Sequence, residues 1–544
     1  MARASHTRTN TAAPQTNGSV TVDTPWCDHG QLLLLHPGEF RRQAHQVIEF
    51  MAGYYARMAQ SDDYSVRPSV APGFLRRRLP AAAPSSPPEP DALAAALDDI
   101  RDHILPGVTH WQSPRHFAHF PASSSSIGAL GEALAAGLNV VPFTWAASPA
   151  ATELEMVVVD WLGKALHLPE RLLFAGGGGG TLLPTSCEAI LCTLVAARDR
   201  KLAGVGEDRL CDLVVYCSDQ THFAVRKAAR IAGIRGGNFR EIPARGEDMF
   251  ALSPASLSAA MQADVDAGLV PFFLCASVGT TPTTAVDPVP ELCAAAAPHA
   301  VWVHVDAAYA GAALICPEFR HLADGVEAAD SLSMNPHKWL LVNTDCCALW
   351  LRQPAALVAA LGTGPDDGGG VILREAAAGA AGGEAVVDYK DWQVSLTRRF
   401  RALKLWLVLR CYGTERLRGV VRGHVRMAAA LEEMVRADAR FELVAPRRFA
   451  LVCFRLRPPP PRDEAGGGGG DRAAVANALN KALLEAVNAT SGGPYMSSAV
   501  VGGAYVLRCA VGSTLTEERH VRDAWAVVRD HGAALLRKME RSEA

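Results

Sequence analysis

Between residues 152 and 351 the chain alternates helical patterns with short β-branched or aromatic runs whose ends are punctuated by polar residues. Leu213-Val-Val-Tyr216, Phe272-Phe-Leu-Cys275 and residues 300–305 read as strands. Strands separated by helices in this way build a mostly parallel sheet with helices on both faces. Ligands of such sheets gather beyond the carboxyl ends of the strands. Ser218, Gly279-Thr280 and Asp306 all fall at those ends, so the chemistry is expected along one edge of the sheet.

Downstream of Asp306 stands Lys338, in the run Asn335-Pro-His-Lys-Trp339. A lysine amine condenses with an aldehyde. An aspartate ending a buried strand can pair with a pyridinium nitrogen and keep it protonated, so that the ring accepts electrons from a bond broken at a neighbouring carbon. The two together are what pyridoxal phosphate chemistry requires; the alternative is a surface lysine near an ordinary strand-end carboxylate. Glycines 176–180, followed by Thr181-Leu-Leu-Pro-Thr185-Ser186, open a helical run over 187–202. Backbone N–H groups at a helix start, with two hydroxyls, suit a phosphate, although a glycine run by itself is also a flexible turn. His222, in Ser218-Asp-Gln-Thr-His222, is placed either to stack on a cofactor ring or to start a helix. Thr280 either bonds a ring substituent or shapes a turn.

Composition narrows the function classes. Of the 544 residues 49% are hydrophobic and 20% charged, the net charge is −3, and no basic block suggests nucleic acid. No apolar stretch reaches the roughly 18 residues of a membrane helix. Thirteen cysteines lack zinc-like or CxxC spacing, and Cys192, Cys275 and Cys453 sit in apolar runs, which reads as buried thiols in a reducing compartment, hence a cytoplasmic protein. The first residues are rich in Ser, Thr and Asn without an apolar core of a secretory leader; they read as a disordered tail, with a transit peptide as the alternative. Residues 37–57 read as an amphipathic helix through Phe40, Ala44, Val47, Ile48, Met51 and Tyr55, and 91–104 as a second. Such helices cannot bury their faces alone and are expected to clasp another subunit. Residues 354–387 are Gly- and Ala-rich and read as a mobile loop, and glycines 466–470 as a surface loop between a strand at 450–456 and a helix at 473–487.

The runs His110-Trp-Gln-Ser-Pro114, Ser148-Pro-Ala-Ala-Thr-Glu-Leu-Glu155, Ser218-Asp-Gln-Thr-His222, Asn335-Pro-His-Lys-Trp339 and Val387-Asp-Tyr-Lys-Asp-Trp-Gln393 resemble the plant aromatic L-amino-acid decarboxylases. The resemblance spans residues 37–537. It implies the aspartate-aminotransferase-like fold type I, an α/β fold with a mostly parallel large domain, an N-terminal helical segment and a small C-terminal α+β domain. The expected boundaries are a tail over 1–26, a helical dimerisation segment over 27–125, a large cofactor domain over 126–410 and a small domain over 411–544. It further implies pyridoxal 5′-phosphate as cofactor, a homodimer with active sites at the subunit interface, and an aromatic amino acid as substrate. By the same resemblance Lys338 carries the cofactor, Asp306 pairs with its ring nitrogen and His222 stacks on it. Thr185, Ser186, Asn335 and His337 would hold the phosphate, with Thr280 and Ala308 against the ring. Trp111, Phe120, Pro121 and Phe143 would line the aromatic pocket, partly from the neighbouring subunit. Thr397 would stand where tryptophan-preferring relatives have glycine and tyrosine-preferring ones serine; its bulk leaves less room for an indole, which favours tyrosine or dopa.

Three departures bear on the product. The family carries a loop tyrosine that protonates Cα, yet no tyrosine lies between Tyr309 and Tyr389, and Ile372 aligns best with it. Pro184 stands where the phosphate turn has glycine, removing a donor. His119 and Phe223 replace a tyrosine and a serine. Amine formation is the activity the resemblance implies; the departures make an oxygen-dependent aldehyde synthase, or a weakly active or non-catalytic relative, the alternatives.

Overall fold

The computed structural model describes residues 27–28, 31–32, 35–60, 65–86, 91–362, 386–459 and 469–542. It divides into two compact units, residues 1–56 with 71–106, and residues 57–70 with 107–544.

In the first unit, β1 (Cys27–Asp28) and β2 (Gln31–Leu32) pair antiparallel. Most of the helix Pro37–Gln60 and the helix Ala92–Asp99 also belong to it. Asp91 caps the latter, accepting from the Leu93 and Ala94 N–H groups at 3.1 Å, and takes a further bond from Arg42 at 2.5 Å. Beyond Asp99 the helical run continues as a π turn, Ile100–Ile104, so the second predicted helix is present over its expected length. Residues 107–125, grouped with these helices in the sequence reading, lie in the other unit, because the strand β3 (His116–Phe117) joins a sheet there.

That unit is built on a seven-stranded sheet. Its strands are β4 (Gly179–Leu183), β5 (Leu213–Ser218), β6 (Phe239–Ile242), β7 (Val270–Ser277), β8 (Trp302–Asp306), β9 (Ser331–Met334) and β10 (Cys347–Leu351), ordered β4-β10-β9-β8-β7-β5-β6. β10 alone is reversed, pairing antiparallel with β4 and β9, while the other pairs are parallel, so the sheet is mostly parallel, as expected. Its strands other than the edge strand β6 are buried along nearly their whole length, with helices such as Pro149–Ala165 and Ser186–Val205 packed against them. The parallel register brings strand ends into line: Asp306 faces Ser277 on one side and Ser333 on the other.

A five-stranded sheet follows, ordered β11 (Phe441–Leu443), β12 (Leu451–Leu456), β14 (Ala504–Ala510), β13 (Tyr495–Val501), β3. The helices Gly469–Ala489 and Glu518–Ser542 complete this α+β region. The helix Arg401–Arg436 crosses residue 411, and its backbone breaks at Gly413 (φ 66, ψ 166). The cysteines from Cys187 to Cys509 are free thiols, with Cys192, Cys275 and Cys453 buried, and among the described residues no helix is long and apolar enough to cross a membrane.

Candidate active site

Four strand exits and one short helix converge on a cavity of about 240 Å³ at the carboxyl edge of the parallel strands. β8 delivers Asp306, whose Oδ1 accepts the Ala308 N–H at 3.0 Å and is thereby fixed. After β9 the chain turns through Asn335 into the helix Pro336–Trp339, which carries His337 and Lys338. The Asn335 N–H donates to the Ala308 carbonyl at 3.0 Å, tying this turn to the exit of β8. β4 leads through Pro184 to Thr185 and Ser186, the start of a twenty-residue helix whose first N–H groups have no intrahelical acceptor. Ser186 Oγ donates to Asn335 Oδ1 at 2.8 Å. β5 leads to His222, whose Nδ1 accepts the Ala224 N–H at 3.2 Å. β7 leads to Gly279 and Thr280; Thr280 Oγ1 accepts the Ala285 N–H at 3.1 Å. Gly279 has φ +91, and a Cβ on it would meet the Ala310 Cβ at 2.5 Å, so the backbone passes this point only as glycine.

The predicted residues Thr185, Ser186, His222, Thr280, Asp306, Ala308, Asn335, His337 and Lys338 all line this one cavity, with Phe120. Phe120 stacks on Tyr309 at 3.9 Å between ring centroids, and Tyr309 on Trp339 at 4.7 Å, so an aromatic wall runs from the cavity into the core. Lys338 Nζ lies 5.5 Å from the Phe120 ring centroid. The other expected pocket residues are not in the lining. Trp111 is exposed and stacked on His116 at 4.6 Å. Pro121 is buried and packs so closely against Gly512 that a Cβ there would meet it at 2.3 Å. Phe143 is half-buried, its carbonyl bonded to the Lys390 N–H at 2.9 Å, and Thr397 is exposed. Ile372 lies outside the described residues. Sequence reasoning passed over Cys187, Thr281 and the ring of Tyr309 as lining residues. Tyr309 follows Asp306 closely in the sequence, but its stacking partner Phe120 lies 189 positions earlier in the chain, which leaves no local signal.

Burial sets the electrostatics. It lowers the pKa of Lys338, a shift that Asp306 opposes, and so favours the unprotonated amine that attacks carbonyls. It also lowers His222, with Asp306 again opposing and Lys338 assisting, and it holds His337 at about 4. Both imidazoles are neutral at physiological pH. The donor set suits a phosphate-bearing pyridine: an anion cradle of Ser186, Asn335 and free helix N–H groups, a carboxylate for a ring nitrogen, and an amine for an aldehyde.

Comparison with known proteins agrees with this geometry. The pyridoxal-dependent decarboxylase conserved domain matches residues 72–457. A tyrosine decarboxylase of Oryza sativa subsp. japonica is 70% identical over 545 residues, covering 99% of this chain and 100% of its own. The crystal structure of an Oryza sativa TDC with PLP and tryptamine superposes with a TM-score of 0.85 at 44% identity, over 93% of this chain and 100% of that one. That of Rhodiola rosea 4-hydroxyphenylacetaldehyde synthase does so with 0.83 at 45% identity, over 92% and 99%. The cofactor is pyridoxal phosphate, the fold is fold type I, and the chain belongs to the pyridoxal-dependent decarboxylases, in their plant aromatic amino-acid branch.

Proposed function

We propose that this protein removes the carboxyl group of an aromatic L-amino acid, tyrosine or dopa in preference to tryptophan, giving the arylalkylamine and carbon dioxide, and that it does so as a cytosolic homodimer. The observation that carries the reaction is the joining of Lys338, Asp306 and His222 in one cavity with an aromatic wall. The substrate preference is supported by the 70% identity to a tyrosine decarboxylase.

Bound pyridoxal phosphate supplies the electron sink for the bond broken at Cα. Lys338 provides the amine that anchors the aldehyde and later frees the product. Asp306, held by the Ala308 N–H, is placed to keep a proton on the ring nitrogen. Ser186, Thr185, Asn335 and His337 hold the phosphate, and the flat face of His222 orients the ring. Phe120, backed by Tyr309, excludes water and packs against an aromatic side chain.

The homodimer is supported by the helix Pro37–Gln60, whose Phe40, Val47, Ile48 and Met51 stay exposed in the single chain. A second chain would also be the source of pocket residues such as Trp111 and Phe143, which the single-chain cavity lacks.

The absence of tyrosine between Tyr309 and Tyr389 favours a second reading, oxygen-dependent release of the aldehyde with ammonia and peroxide. Purified protein supplied with pyridoxal phosphate and tyrosine, dopa, phenylalanine or tryptophan, with carbon dioxide, amine, aldehyde and peroxide all quantified, separates the two. Amine equal to carbon dioxide, fastest with the phenolic substrates, is expected. Aldehyde and peroxide in that proportion would replace the first reading by the second, and no carbon dioxide would end both.

A further inference from the structure

Two of the sequence runs that carry the family resemblance, 148–155 and 387–393, contribute nothing to the cavity lining. They meet instead in a buried polar cluster beneath the start of the phosphate cradle. The Glu155 and Arg398 side chains are 2% and 1% exposed and form a two-pronged pair, Nη1 to Oε2 at 3.0 Å and Nη2 to Oε1 at 2.8 Å. Both also grip the end of β4. Glu155 Oε1 accepts the Leu182 N–H at 2.8 Å and the Thr181 hydroxyl at 3.1 Å. Arg398 Nη2 donates to the Leu182 carbonyl at 3.2 Å. Leu182 is thus held at both its N–H and its carbonyl, three positions before Thr185.

The segment around Arg398 reaches the other side of the same turn. Tyr389 lies under the guanidinium at 4.5 Å and donates from its hydroxyl to the Gly180 carbonyl at 3.1 Å. Gln393 Oε1 accepts from Arg398 Nε at 3.2 Å. The Val394 N–H donates to Glu188, in the first turn of the helix that Ser186 opens, at 3.4 Å. Thr185 and Ser186 are therefore bracketed by two anchor points, the end of β4 and the first helical turn, and both are tied to residues 389–398.

We propose that the Glu155–Arg398 pair is a positioning device for the cofactor phosphate: it fixes the β4 exit so that Thr185, Ser186 and the helix N–H groups stay aimed at one anion. Neither residue touches the cavity, so their action is through the turn. A buried pair of this kind gives little net stability compared with apolar side chains of the same volume, whereas a two-pronged arginine gives geometric definition. The inference rests on the placement of the phosphate at Thr185 and Ser186.

The test compares dissociation constants for pyridoxal phosphate and for pyridoxal, which lacks the phosphate, in full-length protein stripped of cofactor. Glu155→Gln keeps size and an acceptor but loses the charge; Arg398→Lys keeps the charge but loses the fork. Each is expected to weaken pyridoxal phosphate binding about tenfold, the size typical of losing a partner that orients a binding group, and to leave pyridoxal binding unchanged. Asp264→Asn, which disrupts the bonds by which the helix Pro254–Asp266 holds Tyr216 and Arg240 on β5 and β6, should lower the melting temperature without altering that ratio. An unchanged ratio in Glu155→Gln and Arg398→Lys, or an equal change in Asp264→Asn, overturns the proposal. Ser186→Ala separates the premise from the inference: if it shifts the ratio and the pair variants do not, only the positioning role fails. If it too leaves the ratio unchanged, the phosphate placement falls and the inference with it.

Discussion

Lys338 and Asp306 carry opposite demands within one small cavity: the amine must be free to attack, and the carboxylate must stay charged. Burial lowers the lysine pKa while the aspartate opposes that shift. Lys338→Ala is expected to abolish the cofactor bond that borohydride traps; a trapped adduct surviving in this variant would move the assignment to another lysine. Asp306→Ala should still take up cofactor but lose about 10²–10³ in kcat, since the carboxylate acts on charge that develops in the transition state. An unchanged kcat would mean that the ring nitrogen lies elsewhere. Ile372 belongs to the same scale. If it stands where a proton donor belongs, Ile372→Tyr should raise the ratio of amine to aldehyde, up to the roughly 10²–10⁴ that a positioned proton donor contributes, as product analysis would show. A ratio that stays fixed would assign Cα protonation to another group.

At the scale of elements, the parts read most easily from sequence were those with a strong period or an apolar run. The strands expected at 213–216, 272–275 and 300–305 appear as β5, β7 and β8, and the helix expected at 37–57 spans Pro37–Gln60. β4 shows why others were hidden. Its two glycines resemble a loop in sequence, yet they form a strand because the sheet is crowded there: a Cβ on Gly180 would meet Val159 Cγ1 at 2.5 Å and the Leu349 carbonyl at 2.7 Å. Close approach of a helix and a neighbouring strand is a tertiary fact with no local signature. In the site, residues fixed to strand exits were legible, whereas the aromatic wall, assembled from positions 120, 309 and 339, was only partly so. The helix Pro37–Gln60 makes a prediction of its own. If its exposed Phe40, Val47, Ile48 and Met51 are covered by a second copy, Phe40→Glu combined with Ile48→Glu should shift sedimentation from dimer to monomer and lower activity at dilute protein concentration. A variant that sediments as wild type would place the interface elsewhere.

The whole molecule is expected to be sensitive to acid because it buries several histidines as neutral rings. Burial holds His116, His304, His337 and His424 at about 4, and in two of them a ring nitrogen already accepts a hydrogen bond that a second proton would break. Around the fully buried His304 ring, Nδ1 lies 2.8 Å from Ser331 Oγ, which also accepts from Trp302 Nε1 at 2.9 Å, and Nε2 lies 3.2 Å from Ser333 Oγ. His424 Nδ1 accepts from Trp339 Nε1 at 2.9 Å, and His337 Nδ1 from the Cys346 N–H at 2.9 Å. Protonating Nδ1 of His424 or of His337 breaks a bond inside the protein. The folded pKa values lie below the unfolded value near 6.5, so the unfolded chain binds protons first as pH falls. Stability is therefore full above about 6.5 and is lost progressively from there towards 4, by on the order of 1–2 kcal/mol per histidine at pH 5. The melting temperature should drop steeply between pH 7 and pH 5. His424→Gln, which keeps an acceptor for Trp339 but cannot titrate, should melt lower than wild type at pH 7 yet lose less between pH 7 and pH 5. If the variant and the wild type lose the same number of degrees, the acid sensitivity does not arise from the buried ring of His424.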